Sequence, residues 1–293
     1  MDGIIIINKE KNWTSNDVVQ KVKHVLKEKV GHTGTLDPLA TGVLPLLIGK
    51  GTLLSKYLIN HDKEYIATIK LGKKTSTGDE EGEMIDKKSV TSKMLRDTTI
   101  QGVIQTFKGE QTQIPPMYSA IKLNGKKLYE YARKGQKVEI EPRKIKIYNI
   151  ELIEVSFNKQ EITIKVNCSK GTYIRTLCED IAEKLGTVGY MEDLQRTKVG
   201  DFSIKNAIKI SEIKNYEKNL ITVEEFFKNE KSINLDKNQL DKLLNGVKLN
   251  TEKEDGIFKI YCNSIFIGCG KVEKKQLKRD IVLTSTIWPH ILL

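Results

Sequence analysis

GHTGTLDPLATG, residues 31–42, packs three glycines, three threonines, one histidine and an Asp–Pro pair into twelve residues. Asp37 and Pro38 suit positions i and i+1 of a turn. Pro38 restricts Asp37 to an extended backbone, so the carboxylate is held at a fixed angle. The flanking glycines let the backbone of a ligand come close. Two readings stand here: a tight loop between elements, or a site in which Asp37 is a positioned nucleophile or base and His32 stacks against nucleic acid. A Walker-type phosphate loop is excluded. With Gly49–Lys50 at its end, that pattern needs glycine at Leu44 and Ser or Thr at Gly51.

The segments on either side set the fold class. Upstream, the isoleucine run at 3–8 predicts a buried strand. Thr14 to Asp17 offer N-caps for a helix over 18–28, with Val18, Val22, Val25 and Leu26 on one stripe. Downstream, 43–48 predicts a strand, 53–59 a short helix and 65–71 an alternating, half-buried strand. Residues 75–83, rich in glycine and acids, form a loop, and 92–107 has helical spacing up to Gly109. Asn124–Gly125 signals a hairpin, followed by a helix over 127–134. Two alternating strands, 144–157 and 161–168, lead to an amphipathic helix over 173–185 that Gly186 ends. From Leu235 onward a helix and strands at 256–262, 264–270 and 280–285 predict a β-rich appendage of roughly 60 residues. Strands and helices intermixed without strict βαβ alternation give an α+β protein with a mixed or antiparallel sheet.

The chain has 293 residues, 39% hydrophobic and 30% charged, which suits one large domain plus a small appendage and excludes a disordered chain. Lys and Arg number 49 against 38 Asp and Glu, a net charge of +11 that favours a polyanionic partner. The excess is uneven: 1–150 carry net +9, 151–293 net +2, and 122–146 alone net +6. Such a run is a solvated face or a nucleic-acid contact. Tyr118, Tyr129 and Tyr131 favour the contact, because tyrosines among lysines add stacking surfaces to phosphate contacts. The longest apolar run, 43–48, is far below a membrane span, and the opening MDGIIIINKE, acidic at position 2, does not read as a signal peptide. Cys168, Cys178, Cys262 and Cys269 form no C-x-x-C pair, and His24, His32, His61 and His290 are scattered, so no zinc spacing exists. Unpatterned thiols point to a reducing, cytoplasmic setting.

A second unusual stretch is Lys170–Gly171–Thr172–Tyr173–Ile174–Arg175. Arg175 falls in the first turn of a predicted helix, where the dipole disfavours a cation. Either Glu179, one turn on, compensates it, or the arginine is held for a carboxylate or phosphate elsewhere.

Three stretches in colinear order carry a resemblance: GHTGTLDPLATGVLPLLIGKGT (31–52), QIPPMYSAIKLNGKKLYEYARKG (113–135) and CSKGTYIRTLCEDIAEKLG (168–186). Together they resemble the bacterial tRNA pseudouridine-55 synthases of the TruB family. The resemblance implies a pseudouridine synthase catalytic domain over about 1–230, with a basic insertion at about 113–140 that clamps the T arm. A PUA-like RNA-binding domain would follow over about 235–293. It implies isomerisation of a T-loop uridine to pseudouridine, with no metal, organic cofactor, guide RNA or protein partner, by a cytoplasmic monomer. By the same resemblance Asp37 is the catalytic nucleophile, Arg175 its partner, and Tyr65 stacks on the flipped base. His32 enters the T loop, Leu194 and Tyr173 shape the uracil pocket, and Lys9 matches a lysine of the substrate site. Lys126, Lys127 and Arg133 bind RNA from the insertion. Glu10 stands where proline is usual, and Gln195–Arg196 where two arginines are commoner, which implies one phosphate contact fewer.

Such a chemistry suits the residue types. The target must leave its stack at a cost of a few kcal/mol, which stacking on Tyr65 and His32 in the vacancy would offset. Two rivals make different demands. A binding-only RNA chaperone would leave Asp37 dispensable, whereas a guide-RNA-dependent relative would lack use for the basic insertion.

Overall fold

The computed structural model describes residues 2–136 and 138–283. Its framework is a ten-stranded mixed sheet. The strands are β1 (Gly3–Lys9), β2 (Val30–His32), β3 (Thr41–Ile48), β4 (Lys63–Leu71), β5 (Gly109–Gln113), β6 (Arg143–Ser156), β7 (Glu161–Cys168), β8 (Gly189–Val199), β9 (Phe202–Ser203) and β10 (Ile221–Thr222). The spatial order is β10-β1-β3-β8-β4-β7-β6-β5, with β2 beside β3 and β9 beside β8. All pairings in it are antiparallel except one. β8 meets β3 in parallel over Gln195↔Thr41 and Arg196↔Gly42. That seam joins the end of the 31–42 segment to the strand carrying Leu194.

Helix α1 (Ser15–Leu26) starts three residues before its expected position, because Thr14 and Asp17 form a reciprocal capping box. It ends at Lys27, a left-handed residue with φ 53° that no turn signature announces. Helix α2 (Asp97–Gln105) is shorter than the spacing over 92–107 suggests, since Thr91 to Arg96 turn instead and only Leu95 among them reaches the core. Helix α3 (Ile174–Lys184) and α2 cover one face of the sheet, over a core that includes Ile69, Ile147, Ile164, Leu177 and Ile181. Helix α1 packs Val18, Val19 and Val22 on Ile5, Ile7 and Leu44. Asn124 and Gly125, with φ 49° and 81°, make the expected hairpin turn between short strands at Lys122–Leu123 and Lys126–Lys127.

A second, five-stranded sheet holds β11 (Ser232–Asn234), β12 (Leu249–Asn250), β13 (Gly256–Cys262), β14 (Ile265–Glu273) and β15 (Gln276–Val282), with α4 (Lys237–Leu244) beside it. β15 begins four residues before the expected 280, because the β14–β15 turn is made by Lys274 and Lys275 at φ 52° and 58°. Lysines in the left-handed region give no sequence signal. The expected strand's last residues, Thr284 and Ser285, lie outside the described residues, as do His290 and the rest of 284–293, and also Lys137. The two sheets share a buried cluster of Leu54, Leu58, Val223, Phe227, Cys269 and Ile281. At its rim Lys56 and Tyr57 both donate to Asp280. Among the described residues no helix is long and apolar enough to cross a membrane.

Candidate active site

The turn at Asp37 is closed by a bond from the Ala40 amide to the Asp37 carbonyl, 3.1 Å, so Asp37 and Pro38 hold positions i and i+1 as expected. Tethers fix it from every side. Ser15 exchanges hydrogen bonds with the Leu36 amide and carbonyl, at 2.9 and 3.1 Å. The Asn12 amide and the Lys9 ammonium both donate to the Pro38 carbonyl, at 2.9 and 3.0 Å. Gly42, at φ 104°, lies so close to β8 that a Cβ there would sit 2.2 Å from the Arg196 carbonyl oxygen. A β-carbon has no room at that seam.

Arg175 reaches Asp37 with two nitrogens, Nε to Oδ2 at 3.2 Å and Nη2 to Oδ1 at 3.4 Å. The same guanidinium pairs with Asp79 Oδ2 at 3.3 Å and donates to the Tyr118 carbonyl at 2.7 Å and the Thr77 carbonyl at 3.2 Å. Asp37 keeps 34% of its side chain exposed, against 7% for Arg175 and 4% for Asp79. The arginine is thus a sealed bridge between a buried carboxylate and an accessible one. Glu179 pairs with Lys74 at 3.6 Å and feels the Arg175 charge from one turn away, while the direct ion pairs of the arginine go to carboxylates distant in sequence. Burial pushes the Asp37 carboxyl above the ordinary aspartate range, and Asp79 adds to that, while Arg175, Lys9 and Arg196 oppose it.

Tyr65 is buried on β4, in register with Arg196 on β8 and Val166 on β7, and burial raises its phenol. Leu194 packs in the same cluster as Tyr65, Leu36 and Leu39. Tyr173 caps α3, and its backbone is held both ways by the Gln113 amide group, at 2.8 and 2.9 Å. His32 ends β2 half-buried, its Nδ1 without a partner and its imidazole pushed toward neutrality by burial. Asp37, Tyr65, Tyr173, Arg175 and Leu194 therefore converge from a turn, two strands and one helix. Among the described residues no group of three or more His, Cys, Asp or Glu is placed to hold a metal ion.

A family model described as "TruB family pseudouridylate synthase (N terminal domain)" matches residues 22–174. Two further models match residues 175–248, as the C-terminal domain of tRNA pseudouridylate synthase B, and residues 232–278, as the C-terminal region of pseudouridine synthase II TruB. The chain belongs to the TruB family. Relatives named tRNA pseudouridine synthase B include one from Clostridium tetani, 45% identical over 95% of this chain and 98% of its own length. Another, from Francisella philomiragia, is 42% identical over 94% and 93%. A crystal structure of a Cbf5–Nop10–Gar1 complex shares the fold, with TM-score 0.68 and 24% identity over 96% of this chain and 84% of that one. So does an H/ACA RNP bound to a substrate RNA containing 2′-deoxyuridine, with TM-score 0.68 and 23% identity over 99% and 88%.

Two features depart from what the TruB resemblance implies. Lys9, expected among substrate contacts, is 1% exposed and donates to the carbonyls of Glu10, Trp13 and Pro38 at 2.9, 2.6 and 3.0 Å. With its donors on backbone oxygens it holds the turn, and burial lowers its ammonium to about 8. Arg196, implied as a phosphate contact, is likewise 1% exposed and bonded to backbone. In the insertion Lys126 and Arg133 are exposed and Lys127 is half-buried. Lys127 and Arg133 both lie over the Tyr129 ring, 5.4 and 5.3 Å from its centre. Asp79 is the residue that sequence reasoning missed. It sits in an acidic, Gly-rich loop, and nothing local separates it from Glu80, Glu81 or Glu83.

Proposed function

We propose that this protein isomerises uridine 55 in the T loop of tRNA to pseudouridine, with Asp37 as the catalytic carboxylate. The observation that carries the reading is the Asp37–Arg175 pair: an accessible carboxylate, gripped at two points by a buried arginine, within a TruB-family chain. The reaction breaks the N1–C1′ bond and forms C5–C1′, with C5 losing a proton and N1 gaining one, so no redox change or co-reactant enters. Attack at C6, attack at C1′ and removal of the 2′ hydrogen all begin from an ionised carboxylate. Arg175 keeps Asp37 ionised against burial and fixes its direction. Arg175 in turn is aimed by Asp79 and by the Tyr118 and Thr77 carbonyls.

The flipped base would lie against Tyr65 and Leu194, with Tyr173 bounding the pocket and His32 at its mouth. Lys126, Lys127 and Arg133 would meet phosphates of the T arm, and Tyr129, under two cations, would present a stiffened face. Residues 1–230 would form the catalytic unit and 235–293 an RNA-binding unit of PUA type. The enzyme would act as a cytoplasmic monomer, needing no guide RNA, protein partner or cofactor.

Base-resolved pseudouridine mapping of a tRNA transcript incubated with the purified protein alone tests the assignment. Conversion at position 55 is expected, and Asp37→Asn should abolish it while tRNA still binds. Substantial turnover by that variant would end the assignment, and activity only with an added RNA would favour a guided enzyme.

A further inference from the structure

Among the described residues Arg196 is the bulkiest fully buried side chain, 1% exposed, and no carboxylate lies within ion-pair distance of it. Its guanidinium rests on two backbone carbonyls, Nε to Val43 at 2.8 Å and Nη2 to Gly34 at 2.9 Å. Those oxygens flank the segment that bears Asp37. The main chain of Arg196 is also fixed, against Gly42 on one side and Tyr65 on the other. A sealed cation with no carboxylate in direct contact carries a large desolvation cost, which the more distant charge of Asp37 offsets only in part. An apolar side chain would fill the same space without it, so packing alone does not account for the arginine.

We infer that Arg196 is a positioning residue for the isomerisation: it clamps both ends of the turn bearing Asp37 and supplies a fixed positive charge beneath that carboxylate. The inference rests on the reading of Asp37 as the catalytic group. Asp37 is also faced by Arg175 from α3, by Asp79 and Glu81 from the 75–83 loop, by Lys9 from β1, and by the phenols of Tyr65 and Tyr173. Removing the Arg196 charge leaves Asp79 and Glu81 less opposed, so protonation of Asp37 moves to higher pH.

Single-turnover rates across pH and dissociation constants, both on a T-arm stem-loop, test this with Arg196→Met and Arg196→Lys. In Arg196→Met the rate should fall about 100-fold, the scale of a misplaced reacting group, with affinity within about threefold and the acid limb displaced upward. Arg196→Lys keeps the charge and loses the two-point grip, so its rate should fall about tenfold with the acid limb in place. A wild-type rate in either variant, an unmoved limb in the methionine variant, or equal losses of rate and affinity would overturn the inference. If Arg196→Met fails to fold, the lysine variant decides: a wild-type rate, a displaced limb, or equal losses of rate and affinity overturns the inference. An inactive wild-type protein would overturn the functional reading instead, so the two failures are distinguishable.

Discussion

At the residue scale the chemistry turns on whether Asp37 carries its charge. Burial lifts the carboxyl above the ordinary value of 3.8, and three cations counter it. In the proposed reaction the anion is the reactive form, so activity should fall as pH drops through this raised value. The acid limb of the single-turnover rate should lie higher than a free aspartate would place it. A limb at or below that of a free aspartate would contradict the balance of burial and charge around the carboxylate. Arg175 offers a second check. Lysine in its place keeps one positive charge but cannot span both Asp37 oxygens, Asp79 and two carbonyls. Losing a charge-assisted bond of about 1.5–3 kcal/mol predicts a rate lower by roughly 10- to 150-fold in Arg175→Lys. Stem-loop affinity should change little, because the guanidinium is sealed from the substrate.

At the element scale the seam between β3 and β8 fixes the site, and glycine makes the seam possible. Gly42→Ala would force a Cβ to 2.2 Å from the Arg196 carbonyl at a φ of 104°. Separation of the strands there should cost about 2–4 kcal/mol, combining overpacking with backbone strain. Thermal or urea unfolding measures it. Gly102 is the contrasting case: it lies on the exposed face of α2, where an added Cβ meets nothing within 4 Å. Gly102→Ala should stabilise by about 0.5–1 kcal/mol through helix propensity. The elements also show where sequence patterning stops being informative. Thr14 and Asp17 announce the start of α1 through a local capping box, while left-handed Lys27, Lys274 and Lys275 end their elements with no signature.

At the scale of the whole molecule the net charge of +11 is concentrated toward the N-terminal half and its insertion. Binding of tRNA should therefore weaken steeply with salt. Replacing Lys126, Lys127 and Arg133 together by alanine should flatten the log–log salt slope by about two to three, roughly 0.7–0.9 for each phosphate no longer neutralised. Titrations of a T-arm stem-loop at several salt concentrations read this directly. An unchanged slope would remove the insertion from the interface. The second sheet is joined to the first through a shared apolar cluster and the Lys56, Tyr57 and Asp280 contacts, so it is carried at a defined place beside the catalytic sheet.

The α+β class, the strands around the 31–42 turn, the capped helices and the Asp–Pro geometry were legible in the chain, because hydrophobic period, caps and proline act over a few residues. Local pattern left Asp37 and Arg175 each open between two readings, and it was the family resemblance that implied the pairing seen between them. Folding alone decided that Asp79, one acid among several in its loop, would be the buried partner of Arg175. It also decided that Lys9 and Arg196 would be buried with their donors on backbone carbonyls around the Asp37 turn. Charge on a lysine or arginine is visible in a sequence, but the direction in which it points is set by strands that meet only when distant segments pair.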